Sequence, residues 1–232
     1  MLVLALDSSA TASVALANID EGSSQAEILA RVDTNDTRSH AEVMAPFVHK
    51  VINQANRNAT DIDAVLCGTG PGPFTGLRAG IMTARTLAFA WNKPVLGMMS
   101  LTSLAEQAHR HARTAGNQRF LVATDARRRE VYTAEFELTE SSYQLVSGPI
   151  VGSAAEVPAL PVYGKGAGIY SEQLNAVSGF SQAQPDAATL LCAAARYGIQ
   201  NLSNDTTALY LRESDAKVPA ARKKASSSPH AS

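Results

Sequence analysis

The sequence predicts an α/β chain of two lobes built from a duplicated unit, and three observations carry that prediction. A short apolar strand, an aspartate, a polar turn and a second strand occur once at residues 2–17 and again at residues 120–136. Segments with helical apolar spacing lie between and after these hairpins. At 232 residues, with 45% hydrophobic and 18% charged side chains, the chain has the apolar surface for one large domain or two lobes.

The elements follow in order. Leu2 through Leu6 are apolar, Asp7-Ser8-Ser9-Ala10-Thr11 has turn chemistry, and residues 12–17 are again mostly apolar, which reads as a β-hairpin. A first helix is predicted from Ser39, with Glu42 completing a capping box. Its apolar residues Val43, Met44, Phe47, Val48, Val51 and Ile52 form one face, and Pro46 bends it. The strand Ala64-Val65-Leu66-Cys67 leads to a second helix over about residues 75–91. A third is expected from near Ser103, with Glu106 as its capping-box partner, to about residue 112. The second hairpin comes next, then a loop-rich middle containing Gly164-Lys165-Gly166-Ala167-Gly168, and a helix over about residues 187–197. The predicted organisation is an N-terminal lobe over residues 1–105, a C-terminal lobe over 106–213 and a disordered tail over 214–232, dispensable for folding because it has no apolar period.

Twenty basic against 21 acidic side chains leave a net charge of −1, which excludes strong attraction of the whole chain to nucleic acid or an anionic membrane. Local patches such as Arg222-Lys223-Lys224 are not excluded, although a solvated basic run is the simpler reading. Cys67 and Cys192 lie in apolar stretches and supply no disulfide framework. No signal-peptide pattern opens the chain and no apolar run approaches the roughly 20 residues of a membrane span, so a cytoplasmic location is expected.

Three features invite chemistry. The segment from Gly68 to Gly80 follows a strand and opens a helix, the setting that favours an anion. It lacks the lysine of a P-loop and the third glycine of a dinucleotide fingerprint, so Gly70, Pro71, Gly72, Pro73, Phe74 and Thr75 read as a shaped loop before a phosphate cradle. Gly76, Gly80, Ala84 and Ala88 then recur every four residues, with Ala79 and Thr83 beside them. A glycine inside a helix costs about 1 kcal/mol against alanine, so close packing must offset it, either within the chain's own core or on a partner helix. Asp7 and Asp125, at strand ends, suit either magnesium or turn capping. His40 has Met44 at the position four residues on, and His109 and His111 are two apart, so no helical metal pair forms.

Leu4-Ala5-Leu6-Asp7-Ser8-Ser9, the Gly70 to Arg78 segment, Asp125-Ala126-Arg127-Arg128-Arg129-Glu130-Val131-Tyr132 and Tyr210-Leu211-Arg212 together resemble the TsaB family, in the same order and over residues 1–213. Pro73 replaces the family's usual serine, Ala208 stands where a proline often precedes the Tyr-Leu-Arg segment, and the basic tail lies outside the pattern. The resemblance implies an actin-like, Hsp70-like ATPase (ASKHA) fold. It also implies a non-catalytic subunit for threonylcarbamoyladenosine synthesis on tRNA, without a cofactor or metal of its own. The catalytic relative, TsaD, carries two metal-binding histidines at the positions of His40 and Met44, and a thioether is a poor substitute for the second.

The implied partners are a TsaD-type catalytic subunit and a TsaE-type ATPase, with tRNA reached through the complex and a homodimer formed when TsaD is absent. The expected partner surface is the first two helices: Val43, Met44, Phe47, Val48 and Val51 with Gly76, Ala79, Gly80, Thr83, Ala84 and Leu87. A bulky residue at Gly80 is then expected to hold the partner away from a folded monomer. The competing class is an enzyme, either a glycoprotease-like metallopeptidase or a sugar-kinase-like phosphotransferase, and each needs a metal or nucleotide constellation that these residues do not assemble.

Overall fold

The computed structural model describes residues 1–34, 36 and 40–212. Its first sheet has five strands: β1 (Leu2–Asp7), β2 (Ser13–Ile19), β3 (Ala26–Asp33), β4 (Ala64–Gly68) and β5 (Val95–Met98), in the order β3-β2-β1-β4-β5. β1, β2 and β3 form an antiparallel meander, while β4 and β5 join β1 in parallel. The second sheet repeats the plan. β6 (Arg119–Arg127), β7 (Glu130–Leu138) and β8 (Tyr143–Ser153) are antiparallel, and β9 (Val162–Tyr163) adds to β6 in parallel, in the order β8-β7-β6-β9. The duplication read from two hairpins therefore extends to four strands in each half, the plan of the actin-like, ASKHA fold.

Strand residues alternate between faces. Leu2, Leu4, Leu6, Val14, Leu16, Val65 and Cys67 face α1 (His40–Gln54) and α2 (Phe74–Trp91). Val3, Ala5, Ala15, Ala17, Ala64 and Leu66 face α5 (Ala187–Tyr197) on the opposite side. Burial on both faces explains why β1 and β4 read as unbroken apolar runs. α3 (Leu101–Thr114) packs on the second sheet with Phe120, Val122, Phe136 and Tyr163. The expected lobe boundary after residue 105 falls inside α3, and α5, expected in the C-terminal lobe, covers the first sheet.

Several local expectations change. Ser103 is not a cap: α3 starts at Leu101, and the Ser103 hydroxyl donates back to the Ser100 carbonyl at 2.9 Å. Glu106 instead accepts from Arg196 through Nε and Nη2, each at 2.7 Å, and from the Tyr143 hydroxyl at 2.8 Å. This buried node ties α5, on the first sheet, to α3 and β8 of the second. The Gly164 to Gly168 stretch is not loop throughout, because Lys165–Ile169 form the short helix α4. The Ser39 cap, the His40 side chain and the tail lie outside the described residues.

Candidate functional site

α1 and α2 lie side by side on the first sheet, and their packing decides which of their residues remain available. Met44, Val48 and Val51 are buried at 0–3% exposure, and Gly76, Gly80 and Ala84 are buried too. These six were expected on a partner surface, and the structure corrects that: they belong to the chain's own core. The reason for Gly80 is Ser8. Its hydroxyl, from the turn after β1, donates to the Gly76 carbonyl at 2.7 Å and accepts from the Gly80 amide at 3.0 Å. A methyl group at Gly80 would collide with Ser8 Oγ and lie 3.3 Å from Met44 Cε.

Val43, Phe47, Ala79, Thr83 and Leu87 are half-buried between the two helices. Beyond them, the outward face of α2 carries Phe74, Met82 and Phe89, at 47%, 51% and 90% exposure. With Arg78 and Arg85 these fall at helical spacing on one stripe. The Arg78 guanidinium lies 5.2 Å above the Phe74 ring, and Arg85 Nε donates to Thr206 Oγ1 at 2.7 Å. A separate groove of 390 Å³ lies between the helices, lined by Ala45, His49, Ile52, Leu87 and Trp91 among others. Met82 and Phe89 are absent from the sequence expectation. The signal that could have found them is that α2 is apolar on more faces than one sheet can cover.

The glycine-proline loop is a structural node. Gly70, Pro71 and Gly72 are buried, whereas Pro73, Phe74 and Thr75 are exposed. Gly70 N donates to Ser100 Oγ at 3.0 Å, and Ser100 N returns a bond to the Gly70 carbonyl at 2.8 Å. The Thr69 carbonyl accepts from Leu209 N at 2.8 Å, and the Tyr210 ring packs 4.8 Å from that of Phe74. The loop thus holds the C-terminal Tyr-Leu-Arg segment against the start of α2.

Between the turns that follow β1 and β6 lies a cleft of 160 Å³, lined by Ser9, Ala10, Pro73, Thr124, Asp125, Arg127, Lys165, Ile169 and Gln184. The two repeated aspartates cap these turns. Asp7 Oδ1 accepts from Ser9 N at 2.8 Å and from Ser9 Oγ at 2.6 Å. Asp125 Oδ1 accepts from Arg127 N at 2.8 Å and from the Tyr170 hydroxyl at 3.1 Å. Asp7 is wholly buried; its Oδ2 lies by the Ser100 hydroxyl outside hydrogen-bonding geometry. Burial pushes its pKa up, against the opposing hydroxyls of Ser100 and Ser9. Burial likewise pushes the Cys67 thiol up to about 12, so it is an inert core group. No group of three or more His, Cys, Asp or Glu side chains that could hold a metal occurs among the described residues. Nor is any helix there long and apolar enough to cross a membrane.

Comparison with known proteins supplies the family. Residues 27–216 match the family described as TsaD: tRNA N6-adenosine threonylcarbamoyltransferase. The chain belongs to this family. An uncharacterized protein of Mycobacterium leprae is 35% identical over 93% of this chain and 56% of its own length. The Escherichia coli tRNA threonylcarbamoyladenosine biosynthesis protein TsaB is 36% identical over 61% of this chain and 57% of its own. The match spans 58% of the length of an uncharacterized Mycobacterium bovis relative that is 43% identical. Among solved structures, a Pseudomonas aeruginosa protein described as similar to the peptidase YeaZ superposes with a TM-score of 0.74 at 30% identity, over 91% of this chain and 99% of that one. YeaZ from the same organism gives 0.71 at 29%, over 90% and 99%. The TsaB resemblance read from the motifs and the fold it implied are thereby shown.

Proposed function

We propose that the chain is the non-catalytic subunit in formation of threonylcarbamoyladenosine on tRNA, and that it docks on a TsaD-type catalytic chain through the outward faces of α1 and α2. The observation that carries this reading is the exposed stripe Phe74, Met82 and Phe89 on α2. Large apolar side chains left in water on a helix rimmed by arginines have the composition of an interface centre. Met44 supports the absence of chemistry here: where the resemblance places a metal-binding histidine in the catalytic relative, this chain buries a thioether at 0% exposure in its core. The role of the relatives named TsaB in threonylcarbamoyladenosine biosynthesis supports the pathway. Recruitment of a TsaE-type ATPase is part of the same proposal and follows from the family resemblance.

The test is complex mass and affinity with a TsaD-type partner. Phe89→Ser and Met82→Ser should each weaken association by about tenfold or more, as truncation of a central apolar anchor costs roughly 1–2 kcal/mol or more. Both should leave the thermal midpoint of the chain alone unchanged, since neither side chain is buried in it. Undiminished affinity in both variants would place the partner surface elsewhere. Modification of tRNA by this chain without the partner would refute the accessory role.

A further inference from the structure

Residues 203–212, beyond α5, belong to no helix or strand of the two sheets, yet they are fastened at short intervals to the first lobe. The Ser203 carbonyl accepts from Gly97 N at 2.9 Å, and the Asp205 carbonyl lies so close to Gly97 that a methyl group there would collide with it. Thr206 is buried and accepts from Arg85 of α2, and Ala208 packs into the core cluster beneath α1 and α2. Leu209 N then donates to the Thr69 carbonyl, and the Tyr210 ring rests against that of Phe74, the first residue of α2.

The next two residues are fastened to the second lobe. Leu211 packs against the cluster that contains Phe120, Tyr132 and Tyr163. Arg212 Nη1 donates to the Ala126 carbonyl at 2.8 Å, and its Nη2 forms an ion pair with Glu130. Arg212 thus holds the β6–β7 turn, where Arg127, Arg128 and Arg129 have φ of 61°, 55° and 65°. Left-handed backbone is unfavourable for such residues and persists where surrounding contacts impose it. Pro73 and Arg127, the neighbours of Phe74 and Ala126, come from different lobes and line the same 160 Å³ cleft. Two residues of chain span at most about 7 Å, so the turn cannot draw away from Phe74 while Tyr210 and Arg212 both stay seated.

We propose that residues 205–212 are a strap across the mouth of the inter-lobe cleft, which couples the opening of the cleft to the partner-facing start of α2. The β6–β7 turn leaves Pro73 only by releasing Arg212 or by pulling Tyr210 off Phe74. Phe74 and Tyr210 are both exposed and form one aromatic face, so a partner seated on Phe74 also covers Tyr210 and favours the fastened strap. By linkage, an open cleft then weakens the partner by the same factor as the partner closes the cleft. The second half of this proposal rests on docking through α2; the strap itself rests on its contacts alone.

Hydrogen exchange of single amides in the full chain, read by NMR, tests it. In the wild type the Leu209 amide should exchange faster than those of β1, because the strap opens without global unfolding. Glu130→Gln, a change in the second lobe, should speed exchange at Leu209 about tenfold or more through loss of a charge-assisted contact. The Ala55 amide, at the end of α1 and away from the strap, should keep its rate. Arg212→Met should act as Glu130→Gln does, and it carries the test if Glu130→Gln fails to fold. A saturating TsaD-type partner should slow exchange at Arg127, across the cleft, about fivefold or more in the wild type but not in Arg212→Met. Wild-type rates at Leu209 in both variants, or a Leu209 amide no faster than those of β1, overturn the strap and leave docking on α2 standing. Slowing at Arg127 that persists in Arg212→Met is direct cover by the partner and overturns the coupling, as does no slowing by a partner whose binding Phe89→Ser weakens. Undiminished partner affinity in Phe89→Ser and Met82→Ser instead removes docking on α2 and leaves the Leu209 result standing.

Discussion

Gly80→Ala is the substitution on which the two explanations of the small-residue stripe disagree most. If the stripe received a partner helix, one methyl group would weaken association and leave the monomer intact. The structure puts Ser8 there. The new Cβ would collide with Ser8 Oγ and stand 3.1 Å from Ser8 Cβ and 3.3 Å from Met44 Cε. Ser8 would have to swing away and lose its bonds to Gly76 O and Gly80 N. Overpacking costs about 1–3 kcal/mol, and two buried hydrogen bonds add about 0.5–1.5 kcal/mol each. Alanine's better helix propensity returns about 1 kcal/mol. The net is destabilisation of about 1–5 kcal/mol, centred near 3. For a chain of this size that lowers the thermal midpoint by about 6–12 °C, readable by circular dichroism on the chain alone. Ser8→Ala, which removes the hydrogen bonds without the collision, should fall between wild type and Gly80→Ala. A Gly80→Ala chain that melts with wild type yet loses its TsaD-type partner would refute this reasoning and return the stripe to the interface.

Two other outcomes follow from buried charges. Arg196→Met should cost about 3–5 kcal/mol in urea unfolding, because Glu106, whose side chain is 7% exposed, would be left charged and unpaired between the two sheets; adding Glu106→Gln should recover a large part of it, and strict additivity of the pair would deny the coupling. Asp7→Asn should stabilise the chain at neutral pH. The Asp7 proton is held more tightly folded than unfolded, so its contribution is complete below the unfolded value of 3.8 and is lost as pH rises through the raised folded value. The gain should therefore be clear at about pH 7 and shrink towards zero near pH 4, and a difference independent of pH would show that Asp7 does not titrate as its burial dictates.

What was legible in the sequence depended on how far apart the cooperating residues lie. β1, β2, β6 and β7 are short, apolar and joined by turns whose aspartates cap them, so local pattern sufficed. β3, half-exposed at the sheet edge, and β8, interrupted by Gly148-Pro149, lack a clean alternation and went unread. The seat of α5 on β1 and β2 joins residues 187–197 to residues 3–17, a relation no local window contains.

The stripe on α2 was misassigned for the same reason. Helical spacing shows that Gly76, Gly80 and Ala84 share a face, yet it cannot name the occupant, and the occupant is a serine about 70 residues earlier in the chain. A short hydroxyl side chain needs the missing Cβ of Gly80 to reach the helix backbone, and it accounts for that glycine without a second helix. Once that face is filled from within, the apolar residues on the opposite side lose their own-core explanation. Phe89, at 90% exposure, is what a single sheet cannot cover. The partner argument thus moves from the small residues that looked like a docking groove to the large ones that stand out in water, where burial on association has the most apolar area to gain.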